Sequence, residues 1–250
     1  MQIKDSAVVV TGGASGLGAA VARAFAAKGA AVVLFDRDTL RGNALAAEIG
    51  AQFVAVDVTD GPSVAQGIAA AKAAMGRISV LVNCAGIASG AKVVGREGPH
   101  DLTLFQRIID INLVGSFNTM RLVAAEMAAN DPIEGERGVL INTASIAAFD
   151  GQKGQTAYAA SKAGIVGMTL PAARDLAAQG IRVCAIAPGV FSTPMLEGLG
   201  QDIQEGLAAD IPFPKRLGRP EEFAALAGFI VECSYLNGEV IRLDGALRMR

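Results

Sequence analysis

The chain has 250 residues, of which 52% are hydrophobic and 18% are charged, and its formal net charge is −2. This balance is typical of a folded globular protein, and the length is compatible with one large domain. No cluster of lysine and arginine is present, which argues against a nucleic-acid partner because phosphate binding requires such clusters. No apolar run of about 18 residues is present either, so we expect no membrane span.

The three cysteines, Cys84, Cys184 and Cys233, are scattered and form no CxxC pair. They are typical of reduced thiols in a cytosol-like compartment rather than of disulfides or a zinc site. The single histidine, His100, lies in a Gly- and Pro-rich loop that is typical of the surface. No signal peptide is expected, because the hydrophobic run at Ala7 already belongs to the first strand. We therefore predict no metal site and a cytoplasmic location, or the mitochondrial matrix in a eukaryote.

Short β-branched runs alternate with longer Ala- and Leu-rich helical segments along the whole chain. Apolar strands joined by helices predict a parallel sheet covered on both faces, which is an α/β, doubly wound Rossmann fold with seven strands. We predict a single domain over residues 1–250, with a cofactor half at about 1–150 and a catalytic and substrate half at about 151–250. The predicted strands are residues 7–10, 31–35, 53–56, 80–82, 139–141, 183–187 and 240–243.

Three segments interrupt this alternation. Residues 89–100 and 130–138 are polar and glycine-containing, and both are predicted to be loops. Pro171 lies inside a helical pattern and predicts a kink or a break there. Residues 195–214 carry several glycines and prolines, so we expect a closing lid over about residues 190–215.

A glycine-rich segment, TGGASGLG at residues 11–18, follows the first strand, and a helix is expected to begin near Ala19. Glycines allow a tight turn and let a pyrophosphate approach the helix N-terminus, where the amides favour an anion. Asp36 ends the second strand, where a carboxylate can bind both ribose hydroxyls and repel a 2′-phosphate. This favours NAD over NADP, a preference that the neighbouring Arg37 could soften. The weaker alternative for Asp36 is a helix N-cap.

Polar residues also follow the third and fourth strands, as Asp57-Val58 and as Asn83-Cys84-Ala85-Gly86. Ligands collect at the carboxyl ends of parallel strands, so both turns are predicted to face the cofactor crevice. Asp57 could accept a hydrogen bond from the adenine amino group, and residues 83–86 would line the adenosine side. Asn112 lies in an apolar helical stretch, where it is either a satisfied core residue or a site residue.

Tyr158 and Lys162 are four residues apart, and Ser145 lies thirteen residues before Tyr158. On a helix this spacing stacks the phenol and the ammonium on one face. An ammonium about 4 Å away would lower the phenol pKa by about three units at an effective dielectric near 20. Alone, this pair could equally be a surface tyrosine and a solvated charge. Together with the glycine-rich segment, it predicts a site of proton transfer.

These motifs, together with NCAG and Pro188-Gly189, resemble the short-chain dehydrogenase/reductase family over essentially the whole chain. The resemblance implies a catalytic tetrad of Asn112, Ser145, Tyr158 and Lys162. Tyr158 would exchange a proton with a secondary alcohol, Ser145 would stabilise its oxygen, Lys162 would also bind the nicotinamide ribose, and Asn112 would hold a water that passes protons outward. One departure is Cys84, where the family commonly has asparagine.

The resemblance also assigns the rest of the site. Thr193 would hold the nicotinamide carboxamide with Phe191 packed near it, while Ser145, Gln155 and Tyr158 would contact substrate. No residue is assigned to a metal. The predicted cofactor-binding residues are Gly12, Ser15, Gly16, Leu17, Gly18, Asp36, Asp57, Val58, Asn83, Cys84, Ala85, Gly86, Tyr158, Lys162, Pro188, Gly189, Phe191 and Thr193.

A narrower resemblance, carried by residues 95–98, 105–107, 211–218 and 238–249, is to family members that oxidise (S)-3-hydroxyacyl-CoA to 3-oxoacyl-CoA in fatty acid β-oxidation. The alternatives are an acetoacetyl-CoA or 3-oxoacyl-carrier-protein reductase, a hydroxysteroid dehydrogenase, and a catalytically silent NAD-binding scaffold. The intact Ser145, Tyr158 and Lys162 argue against a scaffold. Family members of this length are usually homotetramers, and the small residues along 157–178 would let helices approach closely.

Overall fold

The computed structural model describes residues 1–197 and 206–249. Seven parallel strands form one sheet in the order β3-β2-β1-β4-β7-β8-β9. All seven predicted strands are confirmed, with ends within two residues of those expected. The strands of this sheet are β1 (Ala7–Thr11), β2 (Ala31–Asp36), β3 (Gln52–Ala55), β4 (Val80–Asn83), β7 (Gly138–Thr143), β8 (Ile181–Pro188) and β9 (Val240–Leu243).

Helices connect the strands and cover both faces of the sheet, so the predicted doubly wound fold is confirmed. Asp38, Asp60 and Asp101 cap three of them, each side chain accepting a hydrogen bond from a backbone amide of the first turn. The helices are α1 (Gly16–Ala27), α2 (Thr39–Ile49), α3 (Gly61–Met75), α4 (Leu102–Ile109), α5 (Gly115–Ala128), α6 (Thr156–Asp175), α7 (Pro194–Glu197) and α8 (Pro220–Glu232).

The core lies in two layers because successive strand residues point to opposite faces of the sheet. Val8 and Val10 of β1 pack in one layer with residues of α1, α2 and α8. Val9 of the same strand packs in the other layer with residues of α3, α5 and α6. Every residue of β1 is buried, as a central strand covered on both faces requires.

Three local expectations are corrected. Helix α1 begins at Gly16 rather than near Ala19, with Ser15 at the N-cap position. The segment 89–100 contains a small antiparallel hairpin, β5 (Val94–Gly95) paired with β6 (Gly98–Pro99). Helix α6 runs through Pro171, so the break that was one of the two expected outcomes is absent. Pro171 has no amide hydrogen to donate to the carbonyl of Gly167, four positions before it.

The strand order reverses direction between β1 and β4. Such a switch point leaves a crevice beyond the carboxyl ends of the two strands, because their following connections run to opposite faces of the sheet. The turns after β1 and β4 therefore form the two walls of this crevice.

Candidate active site

A cleft of about 1220 Å³ opens at this switch point. It is lined by residues that follow β1, β2, β3, β4, β7 and β8 and by the first two turns of α6. Two predicted site residues, Asn83 and Asn112, stay outside this lining. The predicted residues that line it are Gly12, Ser15, Gly16, Leu17, Gly18, Asp36, Asp57, Val58, Cys84, Ala85, Gly86, Ser145, Gln155, Tyr158, Lys162, Pro188, Gly189, Phe191 and Thr193.

The glycine-rich turn fits a group that must approach the backbone closely. Gly12 has a φ of 62°, and a Cβ on it would lie 2.7 Å from the amide nitrogen of Ala85. A Cβ on Gly18 would lie 2.2 Å from the carbonyl oxygen of Gly12. A side chain on Gly12 would therefore force the two walls of the crevice apart, and a side chain on Gly18 would distort the glycine-rich turn itself. The backbone amides at the start of α1 remain close to the cleft, as anion binding at a helix N-terminus requires.

Asp36 connects this turn to the end of β2. Its Oδ2 accepts a hydrogen bond from the backbone amide of Ala14, with an N–O distance of 3.0 Å. Its Oδ1 accepts one from the backbone amide of Asp38, also at 3.0 Å. The carboxylate is thereby oriented at the rim of the cleft. Asp36 caps no helix, since the N-cap of α2 is Asp38.

Arg37 and Asp57 face each other across the neighbouring part of the rim. An Arg37 Nη1 lies 3.5 Å from a carboxylate oxygen of Asp57, and both side chains are substantially exposed. The other oxygen of Asp57 accepts the amide and the hydroxyl of Thr59 at 3.0 and 2.7 Å. These hydrogen bonds, aided by Arg37, hold the pKa of Asp57 below its ordinary value.

Asn83 is part of the core instead of the cleft lining. Its Oδ1 accepts the hydroxyls of Thr11 and Thr119, and its Nδ2 donates to the Ser116 carbonyl and to Asn142 Oδ1. The sheet register aligns Thr11, Asn83 and Asn142 side by side on β1, β4 and β7. The side chain of Asn83, a residue predicted to line the adenosine side mostly with its backbone, therefore ties three strands to α5.

Asn112 lies in a π-helical turn, Asp110–Val114, between α4 and α5. Its amide makes a two-way contact with one residue of the β4 wall: Nδ2 donates to the Ile87 carbonyl at 2.9 Å, and Oδ1 accepts the Ile87 amide at 2.8 Å. Nδ2 also donates to Ser161 Oγ at 3.1 Å. Asn112 is fully buried, so it acts on the cleft by fixing Ile87 and α6 instead of by lining it.

Ser145 and Tyr158 meet at the floor of the cleft. Ser145 follows β7 and caps a short 3₁₀ turn, Ile146–Ala148, by accepting the amide of Ala147 at 3.1 Å. That bond leaves the hydroxyl proton of Ser145 free to be donated. Burial raises the pKa of Tyr158 above its ordinary value, and a hydrogen bond with Ser145 opposes this rise. The expected lowering of the phenol pKa by Lys162 is therefore wrong for the chain without cofactor.

Lys162 is buried one helical turn beyond Tyr158. Its Nζ donates to the Thr143 carbonyl at 2.7 Å and lies 5.8 Å from the centroid of the Tyr158 ring. Burial lowers the pKa of Lys162 to about 8. The phenol pKa is not lowered because burial disfavours phenolate, and because Lys162, with a pKa of about 8, is largely neutral at the pH where the phenol ionises.

Cys84 contacts Thr143 and lies close enough to Lys162 for their charges to interact. Its sulfur accepts the Thr143 hydroxyl at 3.6 Å, and burial raises the pKa of the thiol to about 11. The thiol is accordingly protonated at neutral pH. Thr143 thus contacts both Cys84 and Lys162, a role that no spacing in the sequence indicated.

Sequence reasoning also missed the far end of the cleft, where the C-terminal residues close it. Leu247 is buried against Ile146, the residue directly after Ser145, and against Ile211. This end is mostly apolar. Residues 238–249 carry part of the narrower family resemblance, but no local pattern indicated that they reach the cleft. The lining residues at this end are Ile146, Gln152, Val190, Leu196, Leu207, Pro212, Ala246, Leu247, Arg248 and Met249.

Two classes of site receive no support from residues 1–197 and 206–249. Within these ranges, no three histidine, cysteine or acidic side chains are grouped as a metal would require. None of the helices in this part of the chain is long and apolar enough to cross a membrane.

The family model described as short chain dehydrogenase matches residues 6–204. The chain belongs to the short-chain dehydrogenase family. It is 54% identical to the 3-hydroxyacyl-CoA dehydrogenase type-2 of Drosophila melanogaster, with 99% of both chains covered. It is 53% identical to the protein of that name from Homo sapiens, covering 99% of this chain and 97% of the human one. The crystal structure of 3-hydroxyacyl-CoA dehydrogenase type-2 from Mycobacterium avium matches with a TM-score of 0.94 and 48% identity, over 98% of this chain and 97% of that one.

Family membership makes this short-chain dehydrogenase an oxidoreductase. The catalytically silent scaffold that the fold could also host is thereby set aside. The predicted family and fold are confirmed over nearly the whole chain.

Proposed function

We propose that this short-chain dehydrogenase oxidises (S)-3-hydroxyacyl-CoA to 3-oxoacyl-CoA with NAD, as a step of fatty acid β-oxidation. The observation that carries the proposal is the convergence of Ser145 and Tyr158 on a cleft whose far end is apolar. A secondary alcohol at that point has a proton acceptor on one side and room for an aliphatic chain on the other. Relatives named for this activity align with the whole chain, which supports the same reading.

The choice of NAD rests on the rim of the cleft. Asp36 is held by two backbone amides at the end of β2, where it can accept hydrogen bonds from two ribose hydroxyls. A 2′-phosphate would meet the same negative charge and be repelled. Arg37 is engaged by Asp57 at 3.5 Å. This contact supports a preference for NAD, because it draws the nearest cation away from the 2′ position.

The proton transfer is assigned to Tyr158 and Ser145. When bound, NAD would supply a nicotinamide carbon that accepts the hydride leaving the carbinol carbon. The ionised Tyr158 oxygen takes the hydroxyl proton of the alcohol, so the two electrons of the C–H bond and the proton leave in separate directions. Ser145 donates its hydroxyl proton to the same substrate oxygen and stabilises the charge that develops there.

Lys162 is proposed to bind the nicotinamide ribose as well as to support Tyr158. Its ammonium uses one proton for the Thr143 carbonyl and keeps two for other acceptors. Asn112, fixed by its hydrogen bonds to Ile87, is proposed to hold a water that passes protons outward. Thr193, at the start of α7, and Phe191 beside it are proposed to hold the carboxamide.

The substrate region is proposed to comprise Gln155 and a lid over about residues 190–215. Residues 198–205 of this segment lie outside the described residues. On either side of them, Leu196, Leu207 and Pro212 line the cleft. We retain the division into a cofactor half over about 1–150 and a substrate half over about 151–250 as a proposal.

A homotetramer is proposed from the surface of α6. Ala160, Ala163, Gly167 and Leu170 are exposed along one face of this helix. A face of small residues lets two helices approach closely, and pairing about a twofold axis would bury Leu170. Sedimentation at micromolar concentration is expected to give a mass of about four chains, and a single-chain mass would contradict the proposal.

A reducing compartment is also proposed, either the cytoplasm or, in a eukaryote, the mitochondrial matrix. All three cysteines are free thiols in the structure. Alkylation of the protein from its natural source, followed by mass spectrometry, is expected to find three reduced cysteines. A disulfide among them would contradict this assignment.

The substrate proposal is tested with purified protein, NAD and a series of (S)-3-hydroxyacyl-CoA esters, with NADH formation followed by absorbance. We expect oxidation of these esters with NAD and little with NADP. Faster turnover of 3-oxoacyl-carrier-protein with NADPH, or turnover of hydroxysteroids alone, would overturn the proposal. A Tyr158→Phe variant gives the background rate for each substrate.

A further inference from the structure

Arg242 on β9 forms an ion-pair network next to the substrate end of the cleft. Its Nε donates to Asp244 Oδ2 at 2.8 Å. Its Nη2 donates to Asp150 Oδ2 at 2.7 Å and to the Leu247 carbonyl at 3.2 Å. The guanidinium carbon also lies 5.0 Å from the centroid of the Phe149 ring. Arg242 and Asp150 are each about three-quarters buried, and Asp244 is more buried still.

Two of these partners belong to the segment that carries Ser145. Phe149 and Asp150 directly follow the 3₁₀ turn, Ile146–Ala148, that Ser145 caps. The amide of Asp150 donates to the Ile146 carbonyl at 2.9 Å. A displacement of Asp150 would therefore be transmitted to Ile146, which lines the cleft beside Ser145.

The other two partners belong to the C-terminal turn, residues 244–249. Asp244 accepts the amide of Ala246 at 2.9 Å, and its carbonyl accepts the amide of Leu247 at 3.0 Å. Gly245 and Ala246 both have a positive φ, of 59° and 66°. For alanine this conformation is unfavourable, so the turn depends on the surrounding bonds to persist.

Arg242 thus connects the Ser145 segment and the C-terminal turn at the place where Ile146 and Leu247 pack together. A guanidinium is suited to this connection, because its planar fork presents several donors in fixed directions. Lysine, a point charge on a flexible stem, would not hold both segments at once. Arg242 itself does not line the cleft formed by the described residues.

We propose that Arg242 is a positioning residue that sets the width of the substrate end of the cleft and thereby how well long apolar chains are accepted relative to short ones. It acts through Asp150 on one wall and through Asp244 and Leu247 on the other. The proposal rests on the proposed function, because the chain accommodated there is taken to be the acyl group of a 3-hydroxyacyl-CoA. A short ester contacts little of this wall, whereas a long ester lies against it.

The test compares Arg242→Gln, Arg242→Lys and Asp150→Asn with the wild type on 3-hydroxybutyryl-CoA and 3-hydroxypalmitoyl-CoA. We expect kcat/KM for the long ester to fall about 10- to 100-fold in all three variants, mainly through KM, with a much smaller loss for the short ester. In the double variant Arg242→Gln/Asp150→Asn, kcat/KM for the long ester should fall little further than in either single variant. Both substitutions break the same connection, the one between Arg242 and Asp150. The matched control is Arg23→Gln, which breaks an exposed arginine pair with Glu48 on the cofactor-side helices.

A second measurement, amide hydrogen exchange, tests the proposal without an activity assay. Amide hydrogen exchange should become faster in residues 146–150 and 244–249 of the Arg242→Gln variant and stay unchanged in residues 12–18. If the wild type oxidises none of the CoA esters, the proposed function fails, while this exchange pattern still decides the role of Arg242. Equal losses for both esters, or unchanged exchange in both segments, would overturn the positioning role.

Discussion

The two ends of the cleft are built in different ways. At the cofactor end, Gly12 and Gly18 lie within one turn and act through the absence of side chains. At the substrate end, the walls are held by side chains far apart in sequence, such as Arg242 and Asp150, which are 92 residues apart. Backbone atoms that leave no room for a side chain therefore shape the first end, and contacts between distant side chains shape the second. Substitutions at the two ends should consequently have different signatures.

The largest effect is expected where the two ends meet, at Tyr158. Tyr158→Phe keeps the ring and its packing but removes the group that exchanges the proton. Turnover should fall roughly 10²- to 10⁴-fold, while NADH affinity, measured by fluorescence titration, should stay close to the wild-type value. Tyr235→Phe, at a fully exposed position, is the control for loss of a phenol. Near-normal turnover by Tyr158→Phe would place the proton acceptor elsewhere.

Gly18→Ala tests whether the cofactor end depends on backbone contact alone. The new Cβ would lie 2.2 Å from the Gly12 carbonyl oxygen, so one wall of the turn must move. NADH affinity is expected to weaken about 100-fold, or about 2.8 kcal/mol. Gly61→Ala is the matched control, because its Cβ would meet nothing closer than 3.8 Å. Wild-type affinity in Gly18→Ala would show that the turn adapts and would remove the contrast between the two ends.

Asp36→Ala examines a cofactor-end residue that acts through charge. Loss of the carboxylate should lower the kcat/KM ratio of NAD over NADP by about tenfold. Adding Asp57→Asn should lower it further, because Arg37 is then released toward a 2′-phosphate. Steady-state kinetics with both cofactors measures the ratio. Comparable activity of the wild type with NAD and NADP would contradict the assigned role of Asp36.

The smallest effect concerns the ionisation of Tyr158. In a Tyr235→Phe background, Tyr158 is the single phenol, since the chain has two tyrosines. Its absorbance titration without cofactor should have a midpoint above the ordinary pKa of about 10, because burial disfavours phenolate. Ser145→Ala should raise the midpoint further, since the hydrogen bond from Ser145 lowers the pKa. A midpoint below 10 would show that Lys162 dominates after all. Because oxidation of the alcohol needs the unprotonated Tyr158 phenol, the rate of alcohol oxidation should rise with pH.

Much of the fold and of the cofactor end could be predicted from the sequence. The apolar strand runs, the glycine-rich turn and the Asp36 position are local patterns, and each has a local physical cause. The Tyr158 and Lys162 spacing also placed both side chains at the cleft, because helix geometry fixes which residues share a face.

Three features could not be predicted because each depends on contacts between parts of the chain that are distant in sequence. Asn83 follows a strand as cofactor residues do, but the register with Thr11 and Asn142 turns it into a core residue. The sign of the Tyr158 pKa shift depends on burial, which spacing does not reveal. The C-terminal turn carries part of the narrower family resemblance, but its place at the cleft follows from packing against Ile146.

The sequence by itself determined the seven-stranded fold, the family and the residues that flank the reacting groups. The fold follows from the alternation of apolar strand runs with helical segments, the family from the resemblance of the motifs and their order, and the shared face of Tyr158 and Lys162 from helix spacing. Only the tertiary structure decided the protonation tendencies of Tyr158 and Lys162, the connection of Thr143 to Lys162, and the walls joined by Arg242. Desolvation and ion pairing depend on what every other part of the chain brings close, and no local pattern encodes that environment.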